Sequence, residues 1–174
     1  MAYIALFAVL IAICAWISIP MPWNISFTLQ TFAVPLAVAV LGGRRGTLAV
    51  LVYILLGTVG VPVFSGFRGG IGVLLMSTGG YIVGFLLIAL IMWGMQALFG
   101  RKTWVLAVSM VLGLIVCYAF GTAWFMVVYA RDTAAIGIAT ALGWCVIPYV
   151  IPDLVKLALA LLLSDRLRGL LKLA

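Results

Sequence analysis

Long apolar runs, cut by short turns of glycine, proline or arginine, set the pattern of this chain. Six of the runs predict helices: about residues 2–19, stopped by Pro20 and Pro22; 30–41, closed by Gly42 and Gly43; 47–59; 78–99; 103–128; and 152–170. Residues 129–151 are equally apolar, but Gly137, Gly143, Pro148 and Pro152 break them. They read as a partly helical cap rather than a further crossing.

Composition changes the meaning of those helices. Of 174 residues, 68% are apolar and 7% charged, more apolar surface than a water-soluble fold can hide, so most of it faces lipid. At about 20 residues per crossing the length leaves room for five or six, and the six runs predict an all-α integral membrane protein of six transmembrane helices, forming one domain over 1–174. The net charge of +7 is no nucleic-acid signal: its members cluster in turns, without base-reading groups beside them. Arg44 and Arg45, Arg101 and Lys102, and the tail cations Arg166, Arg168 and Lys172 fall on one side if the N-terminus lies there too. Arg68, Arg131 and Asp132 fall on the other, which predicts both termini in the cytoplasm. Cys14, Cys117 and Cys145 form no C-x-x-C pair, and residues 1–19, lacking a charged start and a small-residue cleavage site, read as a retained first helix.

Helix lengths add depth. Gln30 lies 14 residues from Arg44, Gly60 lies 15 from Arg45, and Asp153 lies 13 from Arg166. At 1.5 Å per residue each stretch covers only about 20 Å of a roughly 30 Å hydrocarbon core. Irregular backbone at that depth needs protein or a water-filled cavity around it. Residues 20–29, 61–77 and 129–151 are therefore expected to fold in over a pocket that opens outward.

On the floor of that pocket the sequence places Asp153 and Lys156, two of very few charges inside apolar runs in a chain with three aspartates, no glutamate and no histidine. An ionisable group at membrane depth marks a functional site by default. Three residues apart on a helix, the two share a face and present an acceptor beside a donor. A structural reading stands beside this one: Pro152 and Asp153 as helix starters, with Lys156 as the ion-pair partner. Gln30, Thr28 and Thr31 lie at similar depth, where Thr28 and Thr31 also make a partial capping pattern. Arg68, in the glycine-rich stretch 65–72, faces either a ligand's carboxylate or water, with water favoured.

Three stretches, in order, resemble the BioY family, the biotin-binding S components of energy-coupling factor (ECF) transporters. Residues 19–32 (Ile-Pro-Met-Pro-Trp-Asn-Ile-Ser-Phe-Thr-Leu-Gln-Thr-Phe) look like that family's first external loop. Residues 57–70 with Thr78, Gly79, Gly80 and Tyr81 are similar to its third loop and fourth helix. Pro152, Asp153, Leu154, Val155 and Lys156 resemble the start of its last helix. Met76 and Ser77 depart from it, standing where the family often has Gly-Pro.

The resemblance implies high-affinity capture of biotin, with Asp153 and Lys156 on the ureido ring. Gln30, Thr28, Tyr81, Phe64, Gly70 and Arg68 are then further candidates for the ligand. It implies transport through a transmembrane coupling subunit and ABC-type ATPases, with no cofactor of the chain's own. Ala8 and Ala12, a small-x-x-x-small pair, resemble the surface by which such subunits dock on the coupling protein.

Other classes fare less well. There is no G-x-x-x-x-G-K-[ST], since the inserted Arg101 spoils Gly100, Lys102 and Thr103, and a Ser–Lys hydrolase would need a serine matched to Lys156. A self-sufficient proton-coupled secondary transporter, with Asp153 as carrier, is the alternative, although the two halves show no repeat. A purely structural membrane subunit would bind nothing.

Overall fold

The computed structural model describes residues 1–20 and 25–171. Met21, Pro22, Trp23, Asn24 and Lys172, which enter the sequence reading, lie outside the described residues. The order of elements is α1 (Ala2–Trp16), β1 (Ser18–Ile19), β2 (Phe27–Thr28), α2 (Gln30–Leu41), α3 (Gly43–Val59), α4 (Ile71–Leu75), α5 (Gly79–Phe99), α6 (Thr103–Asp132), α7 (Ile138–Cys145) and α8 (Ile147–Leu171). Most backbone groups are thus satisfied within helices, as lipid requires. Three helices are long and apolar enough to cross a membrane: α5, α6 and most of α8. The other three long segments are shorter, at 15, 12 and 17 residues for α1, α2 and α3.

α2 is the shaft of the bundle. Ten of its twelve residues are buried, so it is surrounded rather than amphipathic. It packs on α8, α3, α1 and α5. α1 lies against α3 and α2, its exposed Leu6, Val9, Ile13 and Trp16 forming one stripe. The opposite stripe holds Ala8 and Ala12, at 2% and 4% exposure. The expected docking pair is therefore turned inward: the small side chains bring α1 close to its own bundle instead of offering a free face to a partner.

Four other expectations are corrected. The first helix ends at Trp16, three residues early, because Ser18 and Ile19 pair with Thr28 and Phe27 in an antiparallel hairpin. The fold is accordingly helical with one two-stranded exception among the described residues. α3 starts at Gly43 rather than residue 47, so Arg44 and Arg45 belong to its first turn. The cap at 129–151 resolves into the last turn of α6, a link, α7 and the first turn of α8. The last helix therefore starts at Ile147, with Pro152 inside it. A proline there costs one backbone bond, to the carbonyl four residues earlier. Asp153 is consequently the seventh residue of α8 and no helix starter.

At one end of the bundle the basic segments converge. Arg101 donates through Nη2 to the carbonyls of Ala39 and Val40 at 2.9 and 3.0 Å, closing the C-terminus of α2. Arg168 donates to the Arg101 carbonyl at 3.3 Å and pairs with Asp165, and the Gly43 N–H donates to Gln96 Oε1 at 3.0 Å. At the other end the hairpin and the 60–78 segment fold over the helices. Trp16 Nε1 donates to the Pro62 carbonyl at 2.9 Å while its ring stacks on Phe67, and Trp124 Nε1 donates to the Met76 carbonyl at 3.0 Å. A second small core, of Ile25, Phe125, Cys145 and Tyr149, seats the hairpin on α6, α7 and α8. The Tyr149 hydroxyl fixes it by donating to the Ile25 carbonyl at 2.7 Å.

Candidate functional site

Beneath these folded-in segments lies a cavity of about 550 Å³. Its walls come from the hairpin, the segment before α4, and α2, α3, α5, α6, α7 and α8. Seven of the eight ligand residues expected from the sequence line it: Asp153, Lys156, Gln30, Thr28, Tyr81, Phe64 and Arg68. Gly70 does not. Its N–H donates to the Gly57 carbonyl at 2.7 Å, and its φ of 97° serves the turn into α4.

Asp153 and Lys156 are 3% and 6% exposed and form an ion pair of 2.8 Å. Burial on that scale is sustained only when every charge is solvated by fixed partners. Asp153 Oδ1 accepts from Lys156 Nζ and from Thr31 Oγ1, both at 2.8 Å, and Oδ2 accepts from the Tyr118 hydroxyl at 2.6 Å. Lys156 Nζ donates also to the Thr28 carbonyl at 2.6 Å and to Thr31 Oγ1 at 3.1 Å, and lies 3.6 Å from the centre of the Phe27 ring. One turn of α2, the hairpin, α6 and α8 thus meet on this pair. The helix-start reading fails here, since α8 begins a turn and a half earlier and the carboxylate's partners are side chains of α2, α6 and α8 itself.

A second polar group adjoins the first through Thr28. Gln30 Nε2 donates to the Tyr53 hydroxyl at 2.7 Å, and Thr28 Oγ1 donates to Gln30 Oε1 at 3.2 Å. The Gln30 N–H reaches Thr28 Oγ1 at 3.4 Å, so Thr28 also steadies the start of α2, whereas the Thr31 hydroxyl serves Asp153 and caps nothing. Tyr53 meets Phe64 edge to face, centroids 5.6 Å apart. Phe64 is held there because Gly57 leaves it room: a Cβ at that position would stand 2.1 Å from the ring.

Tyr81 forms a wall. Its ring lies over Gly121, where a Cβ would come within 2.4 Å, and its hydroxyl is 3.0 Å from Thr122 Oγ1. Arg68 stands toward the mouth, exposed, with Nη1 3.9 Å from Met76 Sδ. Asp132, also on the lining, pairs with Arg131 at 2.8 Å.

The sequence reading missed Tyr118, Tyr53 and Tyr149, and gave Thr31 no ligand role. Tyr118 and Tyr53 did carry a signal, a hydroxyl in mid-run of an apolar helix, where a buried polar group must find a partner. Tyrosine is also common at membrane interfaces, so that signal needs depth to be read.

The recess has a buried ion pair on its lining and the size of a small-molecule site. Residues 1–173 match the model of the BioY family. The chain belongs to the BioY family. It is 42% identical over 165 residues to the biotin transporter BioY of Thermotoga maritima, covering 95% of this chain and 93% of that protein. It is 40% identical over 169 residues to the probable biotin transporter BioY of Pyrococcus horikoshii, covering 95% and 94%. Its fold superposes with a TM-score of 0.84 on a crystal structure of the S component for biotin from an ECF-type ABC transporter, at 23% identity, covering 97% of this chain and 89% of that one. Membership of BioY makes the chain a membrane transport component and not an enzyme.

Proposed function

We propose that this BioY protein captures biotin with high affinity as the substrate-binding subunit of an ECF-type uptake system. The observation that carries the reading is the buried Asp153–Lys156 pair on the floor of a cavity of about 550 Å³, within the size range of small-molecule sites. Biotin's ureido ring presents two N–H donors and one polarised carbonyl in a fixed plane. The carboxylate of Asp153 accepts from an N–H, and the charge of Lys156 favours the carbonyl side. Tyr81, Phe64 and Phe85 line the apolar remainder, and Arg68 stands where the valerate carboxylate would leave the cavity.

In this reading α1, α2 and α3 complete six crossings with the help of the folded-in segments, and both termini are cytoplasmic. The basic end made by Arg44, Arg45, Lys102 and Arg166 then faces the cytoplasm of a bacterial cell. ATP hydrolysis belongs to partner ATPases, acting through a transmembrane coupling subunit.

The test is a biotin titration of the purified protein with desthiobiotin and lipoate as competitors. Desthiobiotin keeps the ureido ring and is expected to compete; lipoate keeps the valerate and sulfur without it and is expected to fail. Equal competition by lipoate would remove the ureido reading. Proteoliposomes of this chain alone are expected to bind biotin without moving it down an imposed proton gradient, whereas proton-driven uptake would favour the secondary transporter. For orientation, a thiol reagent in intact cells is expected to reach Arg68→Cys and not Lys102→Cys.

A further inference from the structure

A count of protons in the cavity separates the roles of its two polar groups. Lys156 has three N–H bonds and three oxygen acceptors for them: the Thr28 carbonyl, Thr31 Oγ1 and Asp153 Oδ1. None is left for a ligand. Asp153, with about four lone-pair sites, receives three donors and keeps one site, on Oδ2 beside Tyr118. The ion pair therefore offers the ligand an acceptor and no donor.

The Thr28–Gln30–Tyr53 chain has the opposite balance. Drawn one way, Thr28 donates to Gln30 Oε1 and Gln30 Nε2 donates to Tyr53, which leaves the Tyr53 O–H and the second Gln30 N–H without an acceptor among the described residues. With the amide turned over, Tyr53 donates to Gln30 and Gln30 to Thr28, and the spare protons are those of Thr28 and Gln30. Either direction leaves one hydroxyl proton and one amide proton. Tyr53 is 0% exposed and Gln30 4%, and all three residues line the cavity. A buried donor without an acceptor is costly, so this group is built to receive an oxygen.

We infer that the first direction holds, and that Tyr53, with Gln30, is a ligand-binding and specificity-determining group: the pair donates to the ligand's carbonyl oxygen, while Asp153 takes an N–H. Thr28 links the two, its carbonyl held by Lys156 and its hydroxyl in the donor chain, so one compact ring can reach both. Lys156 acts here as a positioning residue that holds Asp153 and the hairpin. This assignment rests on the biotin reading.

The experiment compares biotin with 2-thiobiotin, in which sulfur, a weak acceptor, replaces the ureido oxygen, at neutral pH. The proteins are the full chain and Tyr53→Phe, which keeps the ring and its contact with Phe64. Biotin is expected to bind wild type at least 10-fold more tightly than the thio analogue. Tyr53→Phe is expected to weaken biotin about 5- to 50-fold and the thio analogue by less than 3-fold, flattening the discrimination. Gln30→Met is expected to flatten it likewise. Biotin affinity within 2-fold of wild type in a folded Tyr53→Phe protein overturns the assignment and leaves the biotin reading standing. Equal losses for both ligands also overturn it, since they mean packing and not oxygen recognition. Failure of the wild type to bind biotin overturns both.

Discussion

Replacing Asp153 with asparagine changes one charge and almost no volume. Its carboxylate now takes three donors, from Lys156, Thr31 and Tyr118, at 2.6 to 2.8 Å. The amide keeps one oxygen for Lys156 and Thr31, and Tyr118 can turn its proton away and accept from the new NH₂. What is lost is the negative charge beside an ammonium only 6% exposed. Breaking one side of a buried pair costs about 3–5 kcal/mol, and the low end applies because the Thr28 carbonyl, Thr31 hydroxyl and Phe27 ring still surround Nζ. A ligand N–H loses a charge-assisted bond of about 1.5–3 kcal/mol, or roughly 10- to 150-fold in affinity. The double variant Asp153→Asn, Lys156→Met separates the two effects. Removing both charges is expected to return stability to within about 1–2 kcal/mol of wild type, yet leave biotin weak. Stability would be followed by denaturant unfolding in one fixed detergent, and affinity by calorimetric titration. A folded single variant that binds biotin within twofold of wild type would refute the role of the carboxylate. A double variant that regains both stability and affinity would show the pair to be structural.

Three other substitutions probe the supports of the site. Gly57→Ala sets a Cβ against the Phe64 ring and is expected to cost about 1–3 kcal/mol and weaken biotin, read by the same two assays. Gly94→Ala, in the open on α5, is the control and is expected to be neutral or stabilising by up to about 1 kcal/mol. Tyr118→Phe strips the donor from Asp153 Oδ2 and is expected to lower stability by about 1–3 kcal/mol and to weaken biotin about 5- to 20-fold; an unaltered Kd would count against its role. Arg101→Gln loses its two bonds to the end of α2 and is expected to lower stability by about 2–3 kcal/mol while biotin affinity stays within twofold. A large loss of affinity in that variant would mean that the far end of α2 controls the site.

Part of the site was legible because lipid makes some residue types conspicuous. Asp153 and Lys156 stand out in an apolar run, and the structure buries them together as an ion pair on the lining of a cavity. Gln30 and Thr28 were candidates from counting back to the basic turns together with the family resemblance, and Phe64 from the resemblance alone. The start of α8 was misread because Pro152 looks like a first-turn residue, and only the packing of α8 on α2 and α6 makes its lost backbone bond tolerable. Ala8 and Ala12 have the right spacing for a helix contact, but spacing does not say which neighbour is met. The hydroxyls of Tyr53 and Tyr118 were passed over because a tyrosine in an apolar run gives the same local signal at an interface and in a pocket.

By itself, then, the sequence determined the apolar, largely helical character of the chain and its two charges inside an apolar run, because these depend on transfer free energies that each residue carries with it. Which face of α1 turns inward, where α8 begins, and which hydroxyls meet Asp153 were decided only by tertiary structure. Hydrogen bonds between residues 122 positions apart, such as Thr31 to Asp153, exist only once the helices are packed. The same packing decides how many protons Lys156 and Gln30 have left to give.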